Sequence, residues 1–364
     1  MKIMRGYSVN WVLVRLLVFL FLSGSVVACS SSSSSVRNEE SIDQDMNEQV
    51  LRDEDLARAK VEFEQRIEAV PDDWDAWHGL AAVCYRAGDL ECSERSIIKA
   101  HELNSNEAGV LSLFGLLRHR QGRHEEARGL LKKAIERGPR HGPAHNNLGL
   151  VLVALDDKDA ARSSFEAALA INPNDLVALE NLGVLLLYHE GDAAGAKRHL
   201  EHRIRGLQRG NLPITAEDYR DVALAALFSE DTDSAISYLE EATKLEPDRN
   251  ELFFHLGMAY VQVREFESAR QLLQGVHEKE PENALYSGML GRLLARMRRC
   301  DEAFTVLNKS ILNNPDDPEV HMALGVCLQR TGKTKEADEA YRKSCSLGLR
   351  EACEPGHKPF KEGT

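Results

Sequence analysis

The sequence predicts an all-α fold built from a repeated pair of helices. The main evidence is a period of 34 residues. Small residues occupy two fixed places in the repeat, the eighth place and a second one twelve residues later: Gly115, Gly149, Gly183, Ala223, Gly257, Gly291 and Gly325, then Ala127, Ala161, Ala235, Ala269, Ala303 and Ala337. Small side chains at fixed places allow two helices to pack closely. No segment shows the two-residue alternation that is typical of a strand.

Each repeat is predicted to contain two helices joined by a turn. The turn falls between the two small places, and a proline often closes the repeat, as at Pro139, Pro173, Pro247, Pro281 and Pro315. Because proline ends one helix and is tolerated at the start of the next, it separates neighbouring repeats. This pattern resembles the tetratricopeptide repeat (TPR). The resemblance implies a right-handed α-solenoid, in which each repeat packs only against its neighbours.

The predicted solenoid occupies residues 52–347 and is followed by a cap and tail at residues 348–364. Its eight repeats begin near Trp74, Ala108, Gly142, Leu176, Ala216, Asn250, Ala284 and Pro318. The stretch Leu56–Phe63 resembles the second helix of a preceding half repeat. The fourth repeat departs from the pattern, because Gly191 stands one place late and the second helix is predicted to end within a long connection, Arg205–Pro213.

The charge balance argues against one class of partner. The chain has 364 residues and a net charge of −13. A nucleic-acid-binding protein usually carries a basic face, so this charge balance argues against a nucleic-acid ligand. The acidic surface is otherwise what solubility requires.

The first residues predict export and a lipid anchor. Residues 1–28 have the basic start, short apolar core and small final residues of a secretory signal peptide. The tetrapeptide Val26–Cys29 resembles the bacterial lipobox, which implies that Cys29 is acylated and anchors the protein by palmitate-type chains. Residues 29–51 are serine-rich and acidic and predict a flexible tether. In a Gram-negative host, Ser30 after the acylated cysteine implies the outer membrane, facing the periplasm. The alternative is an ordinary signal peptide with an incidental cysteine.

Export places the other six cysteines in an oxidising compartment, where disulfides persist. Cys84 and Cys92 stand symmetrically about a turn and are predicted to pair. Cys345 and Cys353 have the spacing of the Sel1-like helical repeats, and that resemblance implies a second disulfide. Cys300 and Cys327 lie in neighbouring repeats, where pairing and free thiols both remain open.

Motifs with possible chemistry do not predict an enzyme. Gly332-Lys333-Thr334 resembles the end of a phosphate-binding loop, but Cys327 stands where the first glycine is required. His141 and His145 lack a neighbouring carboxylate at metalloprotease spacing. The remaining cluster, His189, His199 and His202, is more typical of surface histidines than of metal ligands. We therefore expect no catalytic residues, no metal and no cofactor.

The resemblance instead indicates a peptide-binding groove. In TPR proteins the first helix of each repeat lines the concave face, through places 2, 5, 9, 12 and 13. In repeats three to six these places are mainly apolar: Leu150, Val153, Val184, Leu187, Tyr188, Leu224, Leu227, Phe228, Phe254, Met258 and Val261. In the outer repeats they include Arg86, Arg120, Arg292 and Arg296. An exposed apolar trough predicts binding of an apolar helix or peptide. The alternative is that places 9 and 12 belong to the core between repeats.

Together these features predict an outer-membrane scaffold that binds protein partners in the cell envelope. The layout resembles the pilotin lipoproteins of type IV pilus secretins and the repeat lipoproteins of gliding-motility machinery. An activator or regulator of a periplasmic peptidoglycan-synthesis enzyme is the alternative, and the sequence does not choose the partner.

Overall fold

The computed structural model describes residues 53–353, which form helices throughout and contain no strand. These residues divide between two compact units, 53–214 and 215–353. The first unit contains α1 (Asp53–Ala69), α2 (Trp74–Arg86), α3 (Leu90–Leu103), α4 (Ala108–Arg120), α5 (His124–Arg137), α6 (Gly142–Ala154), α7 (Lys158–Ile171), α8 (Leu176–Leu185) and α9 (Ala193–Arg209). Even-numbered helices are the first of each repeat and odd-numbered helices the second, so α1 is the predicted half repeat.

The small residues of the first unit lie where two helices of one repeat meet. A Cβ atom built on Gly115 of α4 would lie 2.7 Å from Cγ of Leu131 on α5, which is closer than real Cβ contacts allow. Gly183 of α8 has the same relation to Leu200 of α9, at 2.6 Å. The period of 34 residues therefore records the close contact within each helix pair.

Side chains at the helix starts also explain where several helices begin. Asp89, Asp157 and Asp192 each accept a hydrogen bond from a backbone N–H in the first turn of the following helix. Such a cap satisfies a donor that has no partner within the helix and typically stabilises it by about 1 kcal/mol.

The fourth repeat absorbs its extra residue in a π-helical turn. This turn, Leu186–Glu190, continues α8, and Gly191 then adopts a left-handed conformation with φ of 69°. A π turn holds one more residue than an α turn, which explains why Gly191 stands one place late. The second helix differs from the prediction. It continues through Arg209, since residues 205–209 are helical, and the long connection is confined to residues 210–215.

The second unit repeats the same arrangement. It contains α10 (Ala216–Phe228), α11 (Thr232–Leu245), α12 (Asn250–Gln262), α13 (Phe266–Lys279), α14 (Ala284–Arg296), α15 (Cys300–Asn313), α16 (Pro318–Arg330), α17 (Thr334–Ser346) and a short 3-10 turn, Arg350–Cys353. A Cβ on Gly257 of α12 would lie 2.9 Å from Cγ of Leu273 on α13. Within residues 53–353, no helix is long and apolar enough to cross a membrane.

Candidate protein-interaction surface

Neutral hydrogen bonds join the first helices of the first unit. The Nδ2 atom of Asn147 on α6 donates to Oγ of Ser112 on α4, at 3.2 Å. The Nδ2 atom of Asn181 on α8 donates to Oδ1 of Asn146 on α6, at 2.9 Å. All four side chains are buried. Because unpaired buried amides are costly, these bonds fix the register of successive first helices.

The predicted groove residues of the first unit separate into two groups. Leu150 and Leu187 are only 3% and 6% exposed, so they contribute mainly to the core. Val153, Val184 and Tyr188 are half-buried and keep apolar surface toward solvent. Residues at places 9 and 12 are therefore buried to different extents, and the sequence alone does not predict the extent.

Cationic side chains lie at the early first helices of this unit. Arg86 and Arg120 are half-buried. The guanidinium carbon of Arg120 lies 4.9 Å from the centre of the Tyr85 ring, within the range of a cation–π interaction. Arg120 is therefore held against an aromatic face at the place predicted for a basic end of the groove.

A pair of histidines closes the turn after α4. The Nδ1 atoms of His119 and His124 lie 3.1 Å apart, so one ring must donate and the other accept. Burial, reinforced by the nearby His124, lowers the pKa of His119 to about 4. His119 is therefore neutral near pH 7.

The second unit shows the same division among its predicted groove residues. Leu224, Leu227 and Phe254 are 6%, 4% and 4% exposed, and they pack in the core. Phe228, Met258 and Val261 are half-buried. At its later first helices, Arg292 forms an ion pair with Glu319, and the guanidinium carbon of Arg296 lies 4.8 Å from the centre of the Phe266 ring.

Charged groups join the first helices of this unit, which the sequence analysis did not predict. Arg249 contacts Glu217 of α10 at 3.0 Å and Glu251 of α12 at 3.1 Å. Arg220 of α10 lies 3.9 Å from Glu251 and 2.9 Å from Asp221. The sequence signal was a glutamate at place 2 of repeats five and six, Glu217 and Glu251, with Arg220 at place 5 of repeat five, and the apolar residues at places 9 and 12 obscured it.

His255 lies beside this network. Burial is the main cause that lowers the pKa of His255 to about 4, while Glu251 opposes the shift and Arg220 and Arg249 add to it. Its Nδ1 atom is buried without a hydrogen-bond partner. A proton on His255 would therefore be disfavoured both by burial and by the two arginines.

The structure places all six described cysteines in bonded pairs. The Cα atoms are 5.7 Å apart for Cys84 and Cys92, 5.0 Å for Cys345 and Cys353, and 5.1 Å for Cys300 and Cys327. The first pair links α2 to α3, and the last links α15 to α16. Chemical evidence for the pairing would come from peptide mapping.

The motifs that resembled chemical sites lie in ordinary repeat positions. Gly332 occupies the turn between α16 and α17, with φ of 83°. His145 contacts the backbone oxygen of Pro139, and His202 contacts the side chain of Asn174. Among residues 53–353, the only cluster with metal-ligand geometry is Cys84, Asp89 and Cys92, and its two sulfurs are bonded to each other. Cys29, the predicted tether and the predicted tail from residue 354 lie outside the described residues.

Comparisons with known proteins agree with the repeat architecture. Two tetratricopeptide repeat models match the chain, one at residues 113–175, 146–196 and 289–349 and the other at residues 226–293. The type IV pilus assembly protein PilF of Pseudomonas aeruginosa is 30% identical over 193 residues, which cover 52% of this chain and 74% of that protein.

Two further matches are weaker. The TPR repeat-containing protein PA4667 of Pseudomonas aeruginosa is 28% identical over 203 residues, covering 55% of this chain but 33% of that protein. A solved structure from the functional characterization of Pseudomonas aeruginosa pilF is 25% identical, covers 58% of this chain and 90% of that chain, and has a TM-score of 0.46. The chain belongs to the tetratricopeptide repeat family, whose members typically mediate protein–protein interaction.

Proposed function

We propose that this protein is an outer-membrane-anchored scaffold lipoprotein that binds an envelope protein during assembly of a type IV pilus secretin, with a gliding-motility complex as the alternative. One observation favours a role in pilus assembly. The relative that is 30% identical over 74% of its length is a type IV pilus assembly protein. The predicted signal peptide and the lipobox-like Val26–Cys29 support the envelope location.

The binding surface in this proposal consists of half-buried apolar side chains on the first helices. We name the set the first-helix surface: Val153, Val184 and Tyr188 in the first unit, and Phe228, Met258 and Val261 in the second. In either unit, a bound apolar helix or peptide would bury the part of that unit's side chains that still faces water. Burial of apolar area contributes roughly 25 cal/mol per Å² toward binding, before the cost of ordering the two partners is subtracted.

Substitutions on the first-helix surface test its role. Val184→Glu with Tyr188→Glu should weaken capture of the envelope partner by at least about tenfold, because a carboxylate there must lose water when an apolar ligand binds. The matched control is Ile98→Glu with Leu245→Glu, which changes exposed apolar residues on second helices. Circular dichroism checks that both variants remain helical. Equal loss of capture in both variants, or none in the first, would contradict the proposed surface.

The anchor requires a separate experiment. Cys29→Ser should prevent acylation and move the protein from the membrane fraction to the soluble periplasmic fraction. Metabolic labelling with a palmitate analogue should mark the wild-type protein and not the variant. A variant that stays in the outer-membrane fraction would show that anchoring through Cys29 is wrong.

A further inference from the structure

The second helix of the fourth repeat, α9, has an unusual charge distribution for this acidic protein. It carries five lysine and arginine side chains and one carboxylate, Glu201, within 17 residues. The corresponding helix of the second repeat, α5, is nearly balanced, with four such cations and three glutamates. The whole chain has a net charge of −13. The positive charge on α9 is therefore a local feature.

The exposed arginines of α9 lie along one line with His202, which is half-buried. Arg198, His202, Arg205 and Arg209 are separated by four, three and four residues, a spacing that places them on the same side of a helix. The opposite side, which includes Leu200, Ile204 and Leu207, is buried. We name the four residues the cationic stripe. At about 1.5 Å per residue, it extends over roughly 16 Å.

Internal carboxylates do not neutralise the cationic stripe. Arg198 and Arg209 form no ion pair with any carboxylate in residues 53–353, and both are exposed. Arg205 is 59% exposed and reaches Glu201 only at 3.7 Å, and Glu201 also lies 3.7 Å from Lys197. By contrast, Arg203, on the buried side, contacts Glu180 at 2.8 Å.

Like charges on one side of a helix destabilise it by a few tenths of a kcal/mol per pair. Arg209 lies in the last turn, where the negative end of the helix dipole attracts its positive charge and offsets this cost. This attraction does not account for Arg198, which lies well before that turn. The cationic stripe is therefore better suited to an external anion than to the stability of α9.

We propose that the cationic stripe binds a short acidic segment of a protein partner. An extended chain spans about 3.3 Å per residue, so about five residues would follow the stripe. Charges are screened beyond about 8 Å at physiological salt, so a short segment experiences mainly the local positive field. A bilayer or a nucleic-acid duplex presents negative charge over a much larger area than the stripe, and the chain as a whole is acidic.

The shape beside the stripe also suits a peptide. An open depression next to Arg209 is lined by Asn174, Leu176, Gly206 and Gly210. The Nε2 atom of His202 lies 3.0 Å from Oδ1 of Asn174, which holds the imidazole at the edge of this depression. Asn174 has an amide that can pair with a peptide backbone, and Leu176 provides an apolar wall. The cationic stripe is on a second helix, and neither it nor the depression contains a residue of the first-helix surface.

The direct test is binding of a short fluorescent oligoglutamate peptide to the purified full chain, measured by anisotropy at physiological salt. Arg198→Glu with Arg205→Glu and Arg209→Glu should weaken binding by at least about tenfold. The matched control is Lys132→Glu with Lys133→Glu and Arg137→Glu on α5, which makes the same change of net charge at three exposed cations. It should change the affinity by less than about threefold.

Several outcomes would overturn the proposal. Equal losses in the two triple variants would show that only net charge matters. Stripe-dependent retention on anionic phosphatidylglycerol vesicles, without oligoglutamate binding, would show that the ligand is a membrane. If the triple stripe variant is not helical by circular dichroism, Arg205→Gln with Arg209→Gln replaces it and should still weaken peptide binding. Val184→Glu with Tyr188→Glu should bind oligoglutamate normally, which separates this test from that of the proposed function.

Discussion

The two units of the molecule connect their first helices by different chemistry. In the first unit, buried amides and a hydroxyl pair directly, as in the bond from Asn181 to Asn146. In the second unit, Arg249 joins Glu217 and Glu251 through half-exposed ion pairs. Both units nevertheless use the same small residues between the helices of a pair and keep half-buried apolar side chains on the first helices.

This difference separates what the repeat requires from what it permits. The contact within a helix pair has little freedom, because glycine or alanine must face a large side chain across a short distance. The contact between successive first helices is more permissive, since either neutral or charged polar groups can satisfy it. Neutral buried hydrogen bonds are insensitive to salt, whereas half-exposed ion pairs are screened by it. The two units should therefore respond differently to substitution, salt and pH.

The largest expected effect distinguishes buried from half-buried groove positions. Leu187→Glu, in the first unit, should destabilise the protein by about 3–5 kcal/mol, because it buries a carboxylate where a leucine packed. Phe228→Glu, in the second unit, should cost only about 1 kcal/mol, because its side chain still reaches water. Urea unfolding followed by circular dichroism measures both. Similar midpoints for the two variants would contradict the assigned burial.

The disulfides should stabilise the second unit more than the first. In the chain-entropy model, linking Cys300 to Cys327 contributes about 3–4 kcal/mol, and linking Cys84 to Cys92 about 2–3 kcal/mol, because the longer loop loses more entropy. Peptide mapping without reductant should recover all three pairs. The paired serine variants at each site should then rank in the stated order. Free thiols at these positions in periplasmically produced protein would refute the pairing.

The buried histidines should make stability fall as the solution becomes acidic. The pKa of His255 is lowered from 6.5 to about 4, so the folded state excludes a proton that the unfolded state takes up below pH 6.5. This contribution to stability is complete above pH 6.5 and is lost as pH falls toward 4. His119 should behave in the same way. Either His255→Leu or His119→Leu should make the urea midpoint depend less on pH between pH 6.5 and 5. An unchanged pH dependence in both variants would show that these histidines do not cause the acid destabilisation.

The smallest expected effect concerns the polar contacts between first helices. Asn181→Ala leaves the amide oxygen of Asn146 without this donor and should cost about 1–2 kcal/mol at any salt concentration. Arg249→Met should cost about 1 kcal/mol or less in dilute buffer and still less in 1 M sodium chloride. Unfolding midpoints at the two salt concentrations provide the comparison. A strong salt effect in the Asn181 variant would contradict the neutral character of the first-unit contacts.

The sequence predicted the features that repeat and missed those that depend on neighbouring side chains. The two small places of the repeat, which Gly115 and Ala127 occupy in the second repeat, predicted the helix pairs, because the close contact recurs in almost every repeat. Gly191 revealed an inserted residue, but its spacing did not show that a π turn would absorb it. Leu187 and Tyr188 are adjacent in sequence, yet one is buried and the other half-buried. That difference depends on which side chains pack over each residue in three dimensions, and no pattern in one sequence specifies this packing.

Site-specific photo-crosslinking in cells tests whether the first-helix surface binds the envelope partner. A photoreactive phenylalanine analogue at Tyr188 or Phe228 should form an adduct with the same envelope protein in intact cells. The analogue at Ile98 or Leu245, exposed on second helices, should not form that adduct. Adducts with that protein from the second-helix positions alone would contradict binding at the first-helix surface.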